Sequence, residues 1–417
     1  MQSNSYTETI DWLFQQFPSY QTIGAAAYKP DLGNCELLCN FLDNPERQLK
    51  FIHIAGTNGK GSTASMLASI LTASGEKVGL FTSPHILDFK ERIRINGKTI
   101  SEEEVINFCR QIQEQPLDFN PSFFEITFAM GLYYFKREQC TICVIETGLG
   151  GRLDATNIIL PLVSVITNIS LEHTQFLGNT LGEIAKEKAG IIKESVPVVI
   201  GESTAETLPV FEHMARSTHS ELFLCNTEES SHPYSLPLLG NFQQTNLRTV
   251  LRTLEVLKSK GFSISETDIE SGLKNLPINT GFYGRLQCIQ ESPLTILDVS
   301  HNYDGVQKTL QSVQELTKGK LHILYGTSSD KNYEEIIWLF PDTSKINLCT
   351  FSSFRSLTVQ QMEQLAEKMV PKPVVYTDVV HAISTIQSTA NKDDTILVFG
   401  SFFLISDFFE KKSKKHL

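Results

Sequence analysis

Hydrophobic positions along this chain fall into short solid runs separated by polar, glycine-rich turns, and the runs alternate with stretches of helical period. KFIHIA at 50–55 has the unbroken apolar character of a fully buried strand. STASMLASILTASG (62–75) follows as a helix stopped by Gly75, and KVGLFT (77–82) as the next strand. This order predicts a β-loop-α-β unit. RIRINGKTIS (92–101) alternates around Asn96-Gly97, a strong hairpin signal, and Ser101 with Glu104 resembles a capping box. TICVIE (141–146) and LVSVIT (162–167) are further buried strands with polar C-terminal ends, the edge of an open α/β sheet where ligands bind.

After NLPINTGFYGRLQ (275–287), rich in Gly, Pro and Asn, the pattern restarts. Strands are expected near 294–299, 320–326, 345–351, 373–376 and 394–400, with helices such as TVQQMEQLAEKM (358–369) between them. The reading is a first α/β domain over 1–280, a linker at 281–291 and a smaller α/β domain over 292–417. A chain of 417 residues with 41% hydrophobic content also exceeds what one core usually organises.

Charge and cysteine usage narrow the partners. A net charge of -11 repels a phosphate backbone, so nucleic acid is not expected. The KKSKK run at 411–415 reads as a frayed, solvated terminus. The eight cysteines lack the spacing of a disulfide scaffold, which suits a reducing cytoplasm, and Cys140 and Cys143 lie inside an apolar strand run. No secretory signal or membrane-spanning stretch is evident, so the expected setting is cytoplasmic, with no membrane partner.

HIAGTNGKGSTAS (53–65) carries the candidate chemistry. The Walker pattern fails at two positions, because Ile54 stands where the first Gly belongs and Gly61 follows Lys60. What remains is Gly56, Thr57, Asn58, Gly59, Lys60, Gly61 and Ser62 at a strand-helix junction, where free N–H groups and the helix dipole favour phosphate. Lys60 would reach the β- and γ-phosphates and Ser62 could offer its hydroxyl to Mg²⁺. Glu146 ends a strand where a nucleotide enzyme places an acid for magnesium or its water, the alternative being a solvated strand-end carboxylate. His173 follows the next strand and could share that metal.

Lys188 lies in a helix opened by the capping pair Thr180 and Glu183. Leu181, Ile184, Ala185 and Lys188 share one stripe. A buried amine is pushed toward its neutral form, which reacts with carbon dioxide to give a carbamate suited to a metal site; a lysine snorkelling along its helix is the alternative. NKDD at 391–394 mimics a guanine-reading motif but precedes a strand instead of following one. GLGGR (148–152) lacks dinucleotide spacing, and no nucleophile elbow is present.

Taken together, HIAGTNGKGS (53–62), TSPHILDFKERIRING (82–97), ETGLGGRLDATN (146–157), EHTQFLGNT (172–180) and EKAGIIK (187–193) resemble the folylpolyglutamate synthase/dihydrofolate synthase family, relatives of the Mur ligases. The resemblance runs from about residue 10 to 405. It implies a P-loop Mur-ligase-like ATPase domain followed by a Rossmann-like α/β domain. It further implies that Thr57 to Lys60 hold ATP phosphates, that Ser83, Glu146 and His173 bind Mg²⁺, and that Lys188 is carbamylated. Asn246, Arg285 and Asp298 fall where the family contacts ATP, with His301 nearby. Ser122, Phe123, Phe124 and Glu125, and Leu153, Asp154 and Ala155, match stretches lining the pterin-bearing substrate. Phe242, Tyr283, Val299-Ser300, Tyr303 and Asn332 depart from the commoner family pattern, which leaves fine substrate preference open.

The implied reaction moves the γ-phosphoryl of ATP onto a carboxylate, after which the amine of L-glutamate displaces phosphate. The acceptor is dihydropteroate, a reduced folate, or both, and the enzyme is expected to act as a monomer. Two other readings stand beside it: another Mur-type ligase, disfavoured by the roughly fifty residues before the loop, and a nucleotide-dependent binding module without turnover.

Overall fold

The computed structural model describes residues 5–18, 31–225 and 233–414. The chain divides into two compact units, Met1–Pro237 with Thr245–Phe282, and Leu238–Gln244 with Tyr283–Leu417.

The first unit is built on an eight-stranded sheet. Its strands are β1 (Phe51–Ala55), β2 (Val78–Phe81), β3 (Ile93–Ile95), β4 (Lys98–Thr99), β5 (Ile142–Glu146), β6 (Val163–Ile166), β7 (Val198–Ile200) and β8 (Leu222–Leu224). They lie in the order β4-β3-β2-β5-β1-β6-β7-β8. From β2 to β8 all neighbours are parallel, so their carboxyl ends share one edge. β1 is central and every one of its residues is buried, as its solid apolar run predicts. The hairpin β3-β4 turns at Asn96 (φ 45°) and Gly97 (φ 80°), the two positive-φ residues of a tight primed turn.

The helix after β1 starts at Lys60, two residues earlier than the sequence predicts, and runs to Ala73. It is buried from Ser62 to Leu71 because it is covered on both sides. One side faces the sheet; on the other, helix Glu266–Lys274 approaches so closely that a Cβ on Gly272 would lie 2.5 Å from Ile70 Cα. Ser101 caps its helix by accepting from Glu104 N (3.2 Å), which supplies one half of the expected capping box. The Thr180–Glu183 box is complete, and its helix spans Leu181–Ala189.

The second unit carries a six-stranded sheet ordered β13-β12-β11-β14-β10-β9. Its strands are β9 (Gln287–Glu291), β10 (Leu294–Leu297), β11 (Leu321–Tyr325), β12 (Lys345–Cys349), β13 (Val374–Tyr376) and β14 (Thr395–Phe399). All pair in parallel except the edge strand β9. β9 occupies residues expected to be linker; its alternating, half-exposed residues give no solid apolar run.

NKDD at 391–394 is a structural device here. Asp394 accepts from Lys320 N (2.8 Å) and Asn391 N (2.8 Å) and pairs with His322 Nε2 (3.1 Å), tying the starts of β11 and β14 together. The KKSKK run is not frayed through Lys414: it continues helix Phe402–Lys414, and Lys411 pairs with Asp407 (2.9 Å) and Asp378 (3.1 Å). Lys415 lies outside the described residues. No helix among the described residues is long and apolar enough to cross a membrane. None of the eight cysteines is in a disulfide.

Candidate active site

The carboxyl edge of β1, β5 and β6 gathers most of the residues singled out from the sequence. Gly56 (φ 149°) leaves β1, and Gly59 (φ 86°) precedes the helix in a left-handed conformation. A Cβ on Gly56 would collide with Thr167 Oγ1, and one on Gly59 with Asn246 Oδ1. Both glycines are therefore needed for conformation and for space. The helix has no side-chain cap, so its first-turn N–H groups stand as orphan donors.

The loop is braced by residues that sequence reading missed. Thr57 N donates to Asn168 O (2.9 Å) and Asn58 N to Asn168 Oδ1 (2.9 Å). Thr167 Oγ1 donates to Asn58 O (2.6 Å), and Thr57 Oγ1 exchanges hydrogen bonds with the backbone of Ser170 (3.2 and 3.0 Å). The only signal in the sequence was the polar end of the β6 run. With the Thr57 and Asn58 amides engaged, the amides that could receive an anion are those of Gly59, Lys60, Gly61 and Ser62, the last buried in the first helical turn.

Two lysines meet at one oxygen. Lys60 Nζ donates to Gly56 O (3.0 Å) and Thr57 O (3.2 Å), and Lys188 Nζ donates to the same Gly56 O (2.8 Å). Lys188 is buried, and that burial, with the repulsion of Lys60, pushes its pKa down to about 7. The stripe argument for Lys188 therefore holds, and snorkelling does not.

Glu146 is buried at the end of β5 and its Oε2 accepts from Ser83 N (3.2 Å). A Cβ on Gly61 would lie 3.7 Å from the same oxygen, so the carboxylate sits beside the loop. His173, in a left-handed conformation (φ 51°), opens helix Thr174–Leu177 with Nε2 3.7 Å from Glu172 Oε1. No three His, Cys, Asp or Glu side chains form a ready metal cage among the described residues. A buried carboxylate beside a phosphate-type loop and a serine nonetheless fits a hard cation that takes further oxygens from phosphate and water.

The stretches expected to line the substrate lie near one another. Ser122 and Glu125 form a capping box on helix Phe123–Arg137, and Glu125 Oε1 is buried without a partner. Phe123 packs in the core, stacked on Phe14 with centroids 4.4 Å apart. Phe124 is half-buried; a Cβ on Gly148 would touch its ring at 2.7 Å. Leu153 is half-buried while Asp154 and Ala155 are buried. Sequence reading also missed Arg92. Its guanidinium is buried over the Phe123 ring (5.4 Å), donates from Nε to His85 Nδ1 (2.8 Å), and is held down to about 10 by burial against the fields of Glu91 and Glu146.

Asn246, buried on helix Phe242–Ser259, belongs to the first unit and faces Gly59. Arg285, Asp298 and His301 belong to the second. Asp298 is buried and its carboxylate accepts from Leu286 N (2.8 Å), Ser300 N (2.8 Å) and Thr309 Oγ1 (3.3 Å). Arg285 lies over the Phe402 ring (5.0 Å), which also meets the His301 ring (5.7 Å). Phe402, unremarked in the sequence, is thus the surface that brings Arg285 and His301 together.

Residues 54–205 match the Mur ligase middle domain and residues 284–402 the Mur ligase glutamate ligase domain. The chain is 33% identical to the dihydrofolate synthase/folylpolyglutamate synthase of Bacillus subtilis over 91% of its own length and 94% of the relative's. A solved structure of Escherichia coli FolC in complex with DHPP and ADP superposes with a TM-score of 0.87 at 27% identity, covering all of both chains. A bifunctional folylpolyglutamate synthase/dihydrofolate synthase with Mn, AMPPNP and L-glutamate bound gives 0.84 at 27% identity, covering 100% of this chain and 99% of that one.

Proposed function

Because the chain belongs to the folylpolyglutamate synthase/dihydrofolate synthase family of Mur ligases, and is an ATP-dependent ligase adding L-glutamate to dihydropteroate or to reduced folates, we propose that the β1-β5-β6 edge is its phosphoryl-transfer centre. The enzyme uses ATP and a divalent metal. In this reading the metal is Mg²⁺, held by Glu146, Ser83 and His173, and it neutralises charge on the transferring phosphoryl group when bound.

The observation that carries the reading is the pair of lysines on Gly56 O. Two cations on one carbonyl repel each other. An anion entering the loop gives Lys60 a better acceptor than backbone, and carbon dioxide adding to the uncharged Lys188 amine forms an N–C bond and releases one proton to solvent, leaving an anionic carbamate. Lys60 and the first-turn amides then face the γ-phosphate while the acceptor carboxylate attacks it. The Arg92 guanidinium, over Phe123 and in the field of Glu146, suits the role of holding that carboxylate. The acyl phosphate is next attacked by the glutamate amine, releasing phosphate. Asn246, facing Gly59 in the same unit, is a further nucleotide contact in this reading.

We further propose that both dihydropteroate and tetrahydrofolate serve as acceptors in a reducing cytoplasm, a setting that eight cysteines without a disulfide suit. The test is phosphate release from MgATP and L-glutamate with each acceptor, products being weighed by mass spectrometry. A glutamate-sized gain with both acceptors supports bifunctionality, and a gain with one assigns the single step. The carbamate has its own check. Labelled bicarbonate should give a carbamate carbon signal that Lys188→Ala abolishes; a signal surviving the substitution, or none in the native chain, refutes it.

A further inference from the structure

A buried chain of hydrogen bonds links the strand feeding the phosphate loop to the segment read above as lining the acceptor. His53, in the middle of β1, is completely buried, and its Nε2 lies 2.8 Å from Thr156 Oγ1. Thr156 Oγ1 lies 2.5 Å from Asp154 Oδ1, and Asp154 also accepts from Thr156 N (3.0 Å), Leu149 N (2.8 Å) and the Gly148 amide.

The direction of the chain is fixed by counting protons. Burial raises the Asp154 pKa, and the three backbone amides aimed at its oxygens oppose that by favouring the ionised form, which can only accept; the single Thr156 hydroxyl proton then points to it. The Thr156 oxygen must then accept from His53, which therefore carries its proton on Nε2. His53 Nδ1 is buried without a partner, which a bare lone pair tolerates better than an N–H would. Burial and the nearby Lys193 charge push the His53 pKa down to about 3, so the ring stays neutral.

Asp154 is also saturated. Its two oxygens receive the Thr156 hydroxyl and the amides of Gly148, Leu149 and Thr156, so the carboxylate organises its own loop and has little left for a ligand. That loop is in contact at both ends with the site. Gly148 supports the Phe124 ring, and a Cβ on Gly151 would lie 2.8 Å from Lys188 O. Arg152 N donates to Glu187 O (2.7 Å) on the same helix.

We propose that His53, Thr156 and Asp154 form a positioning chain that sets the 148–156 loop between the acceptor-lining face and the helix bearing Lys188. His53 is a positioning residue and moves no proton. The inference rests on the reading of Phe124 and Leu153–Ala155 as acceptor-lining.

The test compares His53→Leu, His53→Gln, Thr156→Val and Thr156→Ser in the full chain. KM is measured for tetrahydrofolate and for ATP, alongside Tm. Gln reaches the Nε2 position with an N–H, and Ser keeps the hydroxyl. His53→Leu and Thr156→Val should raise the tetrahydrofolate KM about tenfold, the scale of one buried hydrogen bond, with the ATP KM unchanged. His53→Gln and Thr156→Ser should stay near native. Equal loss in His53→Gln and His53→Leu, or an ATP KM rising in step, overturns the proposal; the Thr156 pair decides it if His53→Leu does not fold. Phe124→Ala separates the premises. If it leaves the tetrahydrofolate KM unchanged, the acceptor-lining reading fails and takes the chain with it. If it raises that KM while the His53 and Thr156 variants do not, the positioning chain alone is wrong.

Discussion

The two parallel sheets end in opposite electrostatic conditions. At the carboxyl edge of the first, Lys60 and Lys188 share one backbone carbonyl, Glu146 accepts from the Ser83 amide beside the glycine loop, and the helix N-terminus has no side-chain cap. At the corresponding edge of the second, Asp298 is already matched by two amides and a hydroxyl, and Asn302 caps the next helix by accepting from Gly305 N (2.8 Å). One edge holds polar groups that a ligand would satisfy better than the protein does. The other uses its polar groups to hold itself together. The difference suggests that substitutions at the first edge chiefly reduce turnover and those at the second chiefly reduce stability.

Lys60→Ala offers the largest contrast. It should lower kcat about 10²–10³-fold, the scale for one donor to a charged transition state, while Tm stays near native. A variant with normal kcat would break the comparison at its centre. Gly59→Ala should follow. It forces a side chain into a left-handed position against Asn246, costing about 1–3 kcal/mol and weakening ATP binding, both read by thermal shift with and without nucleotide.

Asp298→Ala tests the other edge. It leaves the amides of Leu286 and Ser300 without their acceptor, and Leu286 already sits at φ 41°. Stability should fall by about 1–3 kcal/mol. An unchanged Tm with lost ATP affinity would instead make Asp298 a direct ligand and dissolve the contrast. The smallest effect concerns pH. Lys188 titrates near 7 when folded against 10.5 ordinarily, so between those values the unfolded chain binds more protons and stability rises with pH. In carbon dioxide-free buffer Lys188→Met should flatten that slope, by at most about 1.4 kcal/mol per pH unit, as followed by denaturant titration from pH 6.5 to 8.5.

Some of the site was legible because its signals are local. The glycine loop, the Thr180–Glu183 box and the Lys188 stripe each lie within one turn or one helix. Arg92, Asn168 and Phe402 were not legible, since each gains meaning only from a partner elsewhere: the Phe123 ring, the Asn58 amide, and the Arg285 and His301 pair. β9 escaped for a related reason. An edge strand with half-exposed residues has no buried run to announce it.

The sequence by itself determined the α/β alternation, the strand-loop-helix around Lys60 and the chemistry of a buried amine, because hydrophobic period, caps and glycine placement act over a few residues. Only the tertiary structure decided that Lys188 meets Gly56, that Asn168 braces Asn58 and that His53 reaches Thr156. Those contacts join residues more than 100 positions apart. They exist because β5 and β6 pair on either side of β1, and no local pattern encodes that strand order.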